Sequence, residues 1–374
     1  MAVYRIFPEK DTFIFTENVT ANAGKDEILE LGGYPMSGVG QTSRMLLQFR
    51  LDEIKDAVNN KIGDAYPVYT ASLHLSLAAG YELPASYSVH SYPIYDSWVN
   101  GTGKYGDSPV DKSGASWAYI QSSPSTEKWT LPAYGAIPAN VTGSYSSAYT
   151  GGGAWYYQYG GESLNTSQSL SLTDDHDLNL NITKAVDLHY NNSIVNNGYI
   201  VKLSNDLEFN TTSSIRLKYY GSDTNTIYPP YLEFKWDDSI YAPGSLSTLS
   251  TDNCYIQVTN NRGEYIDEGK QRFRLKARPK YPVRTFTTSS AYNTNYALPA
   301  ASYWALKDNF TDEILVPFDT INTKISCDAT GSYFDVYMDG IQPERYYKIL
   351  IKTTLDGSTT VIDNKDIFKV VRNG

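Results

Sequence analysis

Two cysteines among 374 residues, Cys254 and Cys327, cannot staple a chain of this length, which excludes a disulfide framework. Histidine is nearly as scarce. His74, His90, His176 and His189 form no His-x-x-x-His pair and have no Cys-x-x-Cys beside them, so nothing in the sequence supports a transition-metal site. No run of 18 apolar residues is present to cross a bilayer as a helix. The segment from Met1 to Glu9 shows no basic stretch followed by a long apolar one, so no secretion signal is expected. Positive charge is in deficit: 31 Lys and Arg against 41 Asp and Glu give a net charge of −10, the wrong sign for a general nucleic-acid binder. Catalytic signatures are missing too. Gly33–Ser43 has the glycines of a phosphate loop, but Val39 follows Gly38 and no lysine is there to neutralise phosphate. There is no Gly-x-Ser-x-Gly elbow. Carboxylates are plentiful, but whether two flank a glycosidic bond is not legible in a linear sequence. The expectation is a protein with no enzymatic activity, no cofactor and no metal.

What the chain has in abundance is tyrosine, 33 residues of it, in a setting rich in Ser, Thr, Asn and Gly. That composition suits sheets and loops. It predicts an all-β fold, sandwich or barrel. Segments 11–16, 27–31, 44–50, 69–77 and 86–95 read as strands, and Leu51, Ile54 and Val58 share one face of a short helix over 51–62. Residues 96–168 read as long ordered loops carrying Trp98, Trp117, Trp129 and Trp155, with 143–161 made almost wholly of Gly, Ser, Tyr, Ala, Thr and Gln. Strands resume at 178–182, 198–203, 214–220 and 231–236, with a short helix over 183–191. Asp237-Asp238 and Pro243-Gly244 then break the pattern. The expected domains are 1–240 and 241–374. Charge divides the same way: residues 1–237 hold 15 basic and 25 acidic groups, and the remainder hold 16 of each.

Near the C-terminus Tyr333, Asp335 and Tyr337 alternate with Phe334, Val336 and Met338. Ile341, Pro343 and Tyr347 then follow at the spacing of a tyrosine corner, in which a phenol bonds back to the preceding loop of a Greek-key sandwich. Residues 270–280 carry Lys270, Arg272, Arg274, Lys276 and Arg278 at period two, with Phe273, Leu275 and Ala277 between them. As a strand this places five cations in one row and an apolar row on the core. The row reads as a solvated edge or as a surface for an acidic protein neighbour; nucleic acid is disfavoured because no aromatics interleave it. Asp174-Asp-His-Asp177 lacks the full calcium-loop pattern and reads as a turn. Eight Asn-x-Ser/Thr sequons suit chance in this composition. Cys254 and Cys327 read as independent thiols. The aromatic loops with Trp98, Trp117, Trp129 and Trp155 admit stacking on sugar rings or anchoring a protein interface, with part of the rings simply core.

The first 237 residues resemble the DNRLRE family, a carbohydrate-binding-module-like type. The resemblance rests on pieces in order: Asp11-Thr-Phe13, Ala21-Asn-Ala-Gly24, Glu30-Leu-Gly32, Arg44-Met-Leu-Leu-Gln-Phe49, Ala71-Ser-Leu-His-Leu75, Trp98-Val-Asn-Gly-Thr-Gly103 and Gly114-Ala-Ser-Trp117. Ile182–Val186, Gly198–Lys202, Tyr220–Thr224 and Pro230–Phe234 complete it. It implies a jelly-roll β-sandwich in which Arg44 and Phe49 belong to a structural strand. With a smaller immunoglobulin- or fibronectin-like sandwich behind it and no secretion signal, the chain also looks like virion structural proteins of large tailed, T4-like bacteriophages. That likeness implies a non-enzymatic subunit of the neck, collar, tail or fibre attachment, assembled in the host cytoplasm. Its partners would be other virion proteins and copies of itself in a symmetric assembly, without nucleic acid or membrane. The alternative is an adhesin recognising host surface glycans. Interface candidates are Lys270, Arg272, Arg274, Lys276, Arg278, Trp98, Trp117 and Trp155; Tyr347, Arg44 and Phe49 are structural.

Overall fold

A computed structural model describes residues 2–63, 68–124, 126–130, 139–146, 150–283 and 291–373. It is an all-β protein, with a jelly-roll sandwich followed by a smaller Greek-key sandwich. Two compact units divide it. One comprises 6–60 and 70–233; the other comprises 234–374 together with 1–5 and 61–69.

The jelly-roll unit is built on a large antiparallel sheet. Its strand order is Thr166–Ser171, Ser86–Pro93, Tyr199–Leu203, Val39–Gln48, Ile28–Met36, Ile215–Tyr220 and Leu77–Tyr81, with Lys10–Phe15 also paired to Val39–Gln48. Tyr69–Leu75 and Leu178–Asn181 pair in the opposing sheet, with Leu73 opposite Leu180. Most strands obey the alternation expected of a half-buried sheet. Leu73 and Leu75 are buried and Ser72 and His74 less so; Ile215, Leu217 and Tyr219 alternate with Arg216 and Lys218. The central strand Val39–Gln48 does not alternate: it is buried on both faces from Gly40 to Leu47. Such continuous burial requires both faces of the sheet to be covered.

The segment expected to be one helix over 51–62 is an α-helix over Leu51–Asp56 that widens into a π-helical turn over Ala57–Ile62. The wider turn shifts the buried face, so Ile54 and Ala57 are buried while Val58 is not. The second helix spans Thr183–Tyr190, with Ala185, Val186 and His189 inward.

In the second unit a four-stranded sheet runs Cys254–Val258, Lys270–Pro279, Gly331–Tyr337, Ser326–Asp328. It faces a sheet of Glu264–Ile266, Ile367–Val371, Arg345–Leu355, Tyr303–Asp308 and Ile314–Val316, with Ser358–Ile362 paired to Arg345–Leu355. Phe273, Leu275, Phe334 and Val336 from the first meet Trp304, Leu306, Tyr347, Ile349 and Phe368 from the second in one core. Phe273 and Phe334 are cross-strand partners with near-parallel rings 5.4 Å apart, and Trp304 stacks on Phe334 at 5.0 Å. Each such buried ring contributes roughly 2–3 kcal/mol of hydrophobic stabilisation. Tyr347 is buried and its hydroxyl donates to Gln342 O at 2.5 Å, while Tyr346 points outward. Cys254 and Cys327 are free thiols on the two opposite edge strands of one sheet. Three strand spacings, roughly 14 Å, lie between those edges, too far for a disulfide.

The helix Thr183–Tyr190 generates a pH dependence. His189 is fully buried against the edge of Tyr199, and burial pushes its imidazole down to about 4; the backbone at Ile194 and Val195 offsets only part of this. The unfolded chain, with a histidine near its ordinary value, therefore binds the extra proton first as pH falls. Stability is predicted to drop between pH 6.5 and 4, by up to about 3 kcal/mol from this residue. His189→Leu should flatten that part of a pH series of urea midpoints, and an unchanged slope would refute the assignment.

Candidate functional site

The tryptophans expected at the surface are inside. Trp98 is 1% exposed and Trp117 and Trp155 are 0% exposed, which corrects their assignment as sugar-stacking or interface anchors. With Trp129 they form a second core against Ile14, Leu46 and Ile200. Ile14 lies opposite Arg44, and Leu46 lies opposite Ile200, so these residues share one face of the large sheet. Apart from Arg44 and Lys202 the core residues of that face are apolar, and described loop residues between 96 and 165 bury it. Trp98 Nε1 donates to Asn197 O at 2.9 Å and Trp129 Nε1 to Ser116 O at 2.9 Å, which ties the rings to backbone of their own unit.

Arg44 sits in the middle of this second core. Its Nε and Nη2 donate to both carboxylate oxygens of Glu208 at 2.7 and 2.8 Å, and Nη1 donates to Gly152 O. The guanidinium lies 4.8 Å from the Trp117 ring and 5.2 Å from that of Trp155. Lys202 Nζ reaches Glu208 at 2.9 Å and also donates to Leu203 O and Asn205 Oδ1. All three charges are buried. Burial alone would push the Glu208 carboxyl up; the two cations overcome it and hold the group ionised, below its ordinary value. Burial brings the Lys202 ammonium down to about 8 against the pull of Glu208. Gly152, at φ +82°, presses so closely on Trp117 and Arg44 that a Cβ would fall 2.5 Å from the indole. The glycine-rich run 151–153 is thus shaped by this site. Phe49, at the end of the same segment, is buried against Tyr199. Arg44 and Phe49 are both parts of the packed interior.

The cation row lies on Lys270–Pro279, an interior strand paired on both sides, which corrects its reading as an edge. Phe273, Leu275 and Ala277 are buried and the cations face out. Three of the five are ion-paired within the chain, to two carboxylates. Arg272 makes a bidentate pair with Asp335 at 2.8 and 3.0 Å, with Lys270 3.6 Å from the same carboxylate. Arg274 pairs with Asp328 at 2.8 and 3.1 Å. That guanidinium and the Thr330 hydroxyl hold the Asp328 carboxyl well below the usual range. Arg272 also covers the Tyr333 ring at 4.0 Å. The acidic neighbour expected in another molecule is, for these three, the adjacent strand and its hairpin.

Lys276 and Arg278 stand apart. They line an open groove of about 530 Å³ with Tyr255, Ile256, Gln257, Tyr292, Asn293, Asn364 and Asp366. The Arg278 guanidinium lies 4.8 Å from the Tyr255 ring and 5.3 Å from that of Tyr292. The tyrosines are 50% and 43% exposed. Lys276 has no carboxylate partner among the described residues. This groove was not singled out from sequence. The signal for Tyr255 was there, since Cys254–Val258 alternates exposed and buried residues. Asn364 and Asp366 come from a loop more than 100 residues away and left no such trace. The Asp174–Asp177 run follows a turn at Leu172–Thr173; Asp174 accepts from Ser171 N and Asp177 from Leu77 N of a distant strand, each at 2.6 Å. Among the described residues no group of His, Cys, Asp and Glu is arranged to hold a metal ion.

No family model matches the chain, and no curated protein is similar to it. Among solved structures, the adhesin domain of Epf from Streptococcus pyogenes is 8% identical, over 98% of this chain and 99% of that one, at a TM-score of 0.17. A DUF4785 family protein from Legionella pneumophila is 10% identical, over 97% of this chain and 65% of that one, also at 0.17. Likeness at that level carries no functional argument.

Two predictions follow from the charges. Glu208→Gln leaves two cations in one dry site and should cost about 3–5 kcal/mol, whereas Lys202→Met keeps the bidentate pair and should change stability by less than about 1 kcal/mol. Guanidinium midpoints of the two variants measure the contrast, and equal losses would refute it. In the row, Arg272→Ala strips the buried Asp335 of its bidentate partner and should cost about 1–2 kcal/mol; Lys276→Ala should fall within about 0.5 kcal/mol of the parent.

Proposed function

We propose that the protein is a non-enzymatic structural subunit that works by docking to other proteins, and that the assembly it serves is a tailed bacteriophage particle, at the neck, collar, tail or a fibre attachment. One observation carries the docking reading. The described loop residues between 96 and 165 are fastened to the jelly-roll sheet by a tryptophan core and a buried charge cluster. A surface held rigid in advance loses little conformational entropy when a partner binds. The loops expose Tyr105, Val110, Tyr145 and Tyr157, and of these Tyr145 lies against the core, 5.8 Å from the Trp155 ring. These replace the buried tryptophans as contact residues. The acidic balance of residues 1–237 suits a basic partner surface. The particle itself is suggested by the sequence resemblance. Repetition around a symmetric particle would make modest single contacts sufficient.

The test is incorporation. Tyr157→Glu should leave the thermal midpoint within about 2 °C, because its ring is at the surface. It should reduce the subunit's copy number in purified particles, counted by quantitative mass spectrometry, by about tenfold. Absence of the parent protein from purified particles, or turnover of a substrate that one carboxylate substitution abolishes, would overturn the reading.

A further inference from the structure

The groove on the second unit has a chemistry that docking by the loops does not use. Its lining offers two tyrosine faces, two cations and a ring of amides. Tyr255 and Tyr292 flank Arg278, which lies within cation–π distance of both rings. Lys280 lies 6.0 Å from the same Tyr255 ring. Gln257 and Asn293 each present a donor and an acceptor at the groove, while Asn364 and Asp366 line it with their Nδ2 and carboxylate engaged on the Cys254–Val258 backbone. Adjacent donors and acceptors match vicinal hydroxyl groups, and flat aromatic faces match the C–H face of a pyranose ring. The two lining cations, Lys276 and Arg278, outnumber the one lining carboxylate, so the groove favours a ligand that is itself negative.

A peptide is the obvious competitor, because Cys254–Val258 is an edge strand and an extended chain could pair with it. That edge is already occupied. Asn364 Nδ2 donates to Ile256 O, and the Asp366 carboxylate accepts from the Val258 backbone N–H. Two of the outward-facing backbone groups a new strand would need, Ile256 O and Val258 N–H, are therefore taken by side chains. The groove instead offers side-chain chemistry, rings, amides and ammonium, in a space of about 530 Å³.

We propose that the Tyr255–Arg278–Tyr292 groove binds an anionic saccharide, a pyranose bearing a carboxylate that Lys276 receives while the tyrosines stack on its ring. This site is independent of the loop surface used for docking, and its failure would leave that reading standing.

The experiment is calorimetric titration of the full chain with trigalacturonate, with maltotriose as the uncharged counterpart and hexaglutamate as the anionic peptide. Trigalacturonate should bind saturably. Tyr255→Ala and Tyr292→Ala should each weaken it about tenfold or more, and Tyr255→Phe should retain it. Lys276→Gln should weaken trigalacturonate and leave maltotriose unchanged. Unaltered thermal midpoints will show that the losses are local. No saturation by trigalacturonate up to about 10 mM, well above the weak millimolar range, would overturn the proposal. So would binding indifferent to both tyrosine substitutions. Tighter binding of hexaglutamate that the same substitutions abolish would assign the groove to an acidic peptide instead, and equal affinity for maltotriose would remove the claim of charge selection.

Discussion

Arg44, Glu208 and Lys202 meet in a space closed by Trp117 and Trp155, and the jelly-roll unit is arranged around that meeting. Desolvating three charges costs more than any single contact returns, so the cluster persists only where every donor and oxygen has a partner. Here the guanidinium spends its donors on Glu208 and on Gly152 O, and the ammonium on Glu208, Leu203 O and Asn205. Those partners come from chain segments 108 and 164 residues distant from Arg44. A slip of one residue in the central strand would carry Arg44 to the other face and leave Glu208 with Lys202 alone. The cluster thus fixes the register of Val39–Gln48 and the seating of the loops in one stroke.

The all-β class could be read from composition because tyrosine, threonine and valine suit pleated surfaces and little else in this chain favours helix. The alternation of 270–280 showed which residues face in, and the spacing from Ile341 to Tyr347 singled out the phenol that bonds to Gln342. What could not be read was direction. A tryptophan in a Gly/Ser/Tyr-rich loop looks the same whether it faces solvent or the outer face of a sheet. The clue was the unbroken apolar run from Met45 to Leu47, which an antiparallel strand carries only when both its faces are covered.

The cation row shows the same limit from another side. Its charges are evident in sequence, but their partners depend on pairing between strands some sixty residues apart. Tyr333 and Asp335 had been recognised as an alternating pair, yet only the register Arg272 with Asp335 reveals that the two patterns answer each other. Once those pairs are removed, the row's far end emerges as a separate place with its own chemistry. Sequence described the strand as uniform, and the fold divided it in two.

The side chains that close the free margin of Cys254–Val258 have a consequence beyond recognition. An unpaired sheet margin is a template on which other copies can polymerise, and crowding many copies at one place raises that hazard steeply. Asn364 and Asp366 blunt the template by taking Ile256 O and Val258 N–H from within. A further strand must displace both side chains before it can add to this margin.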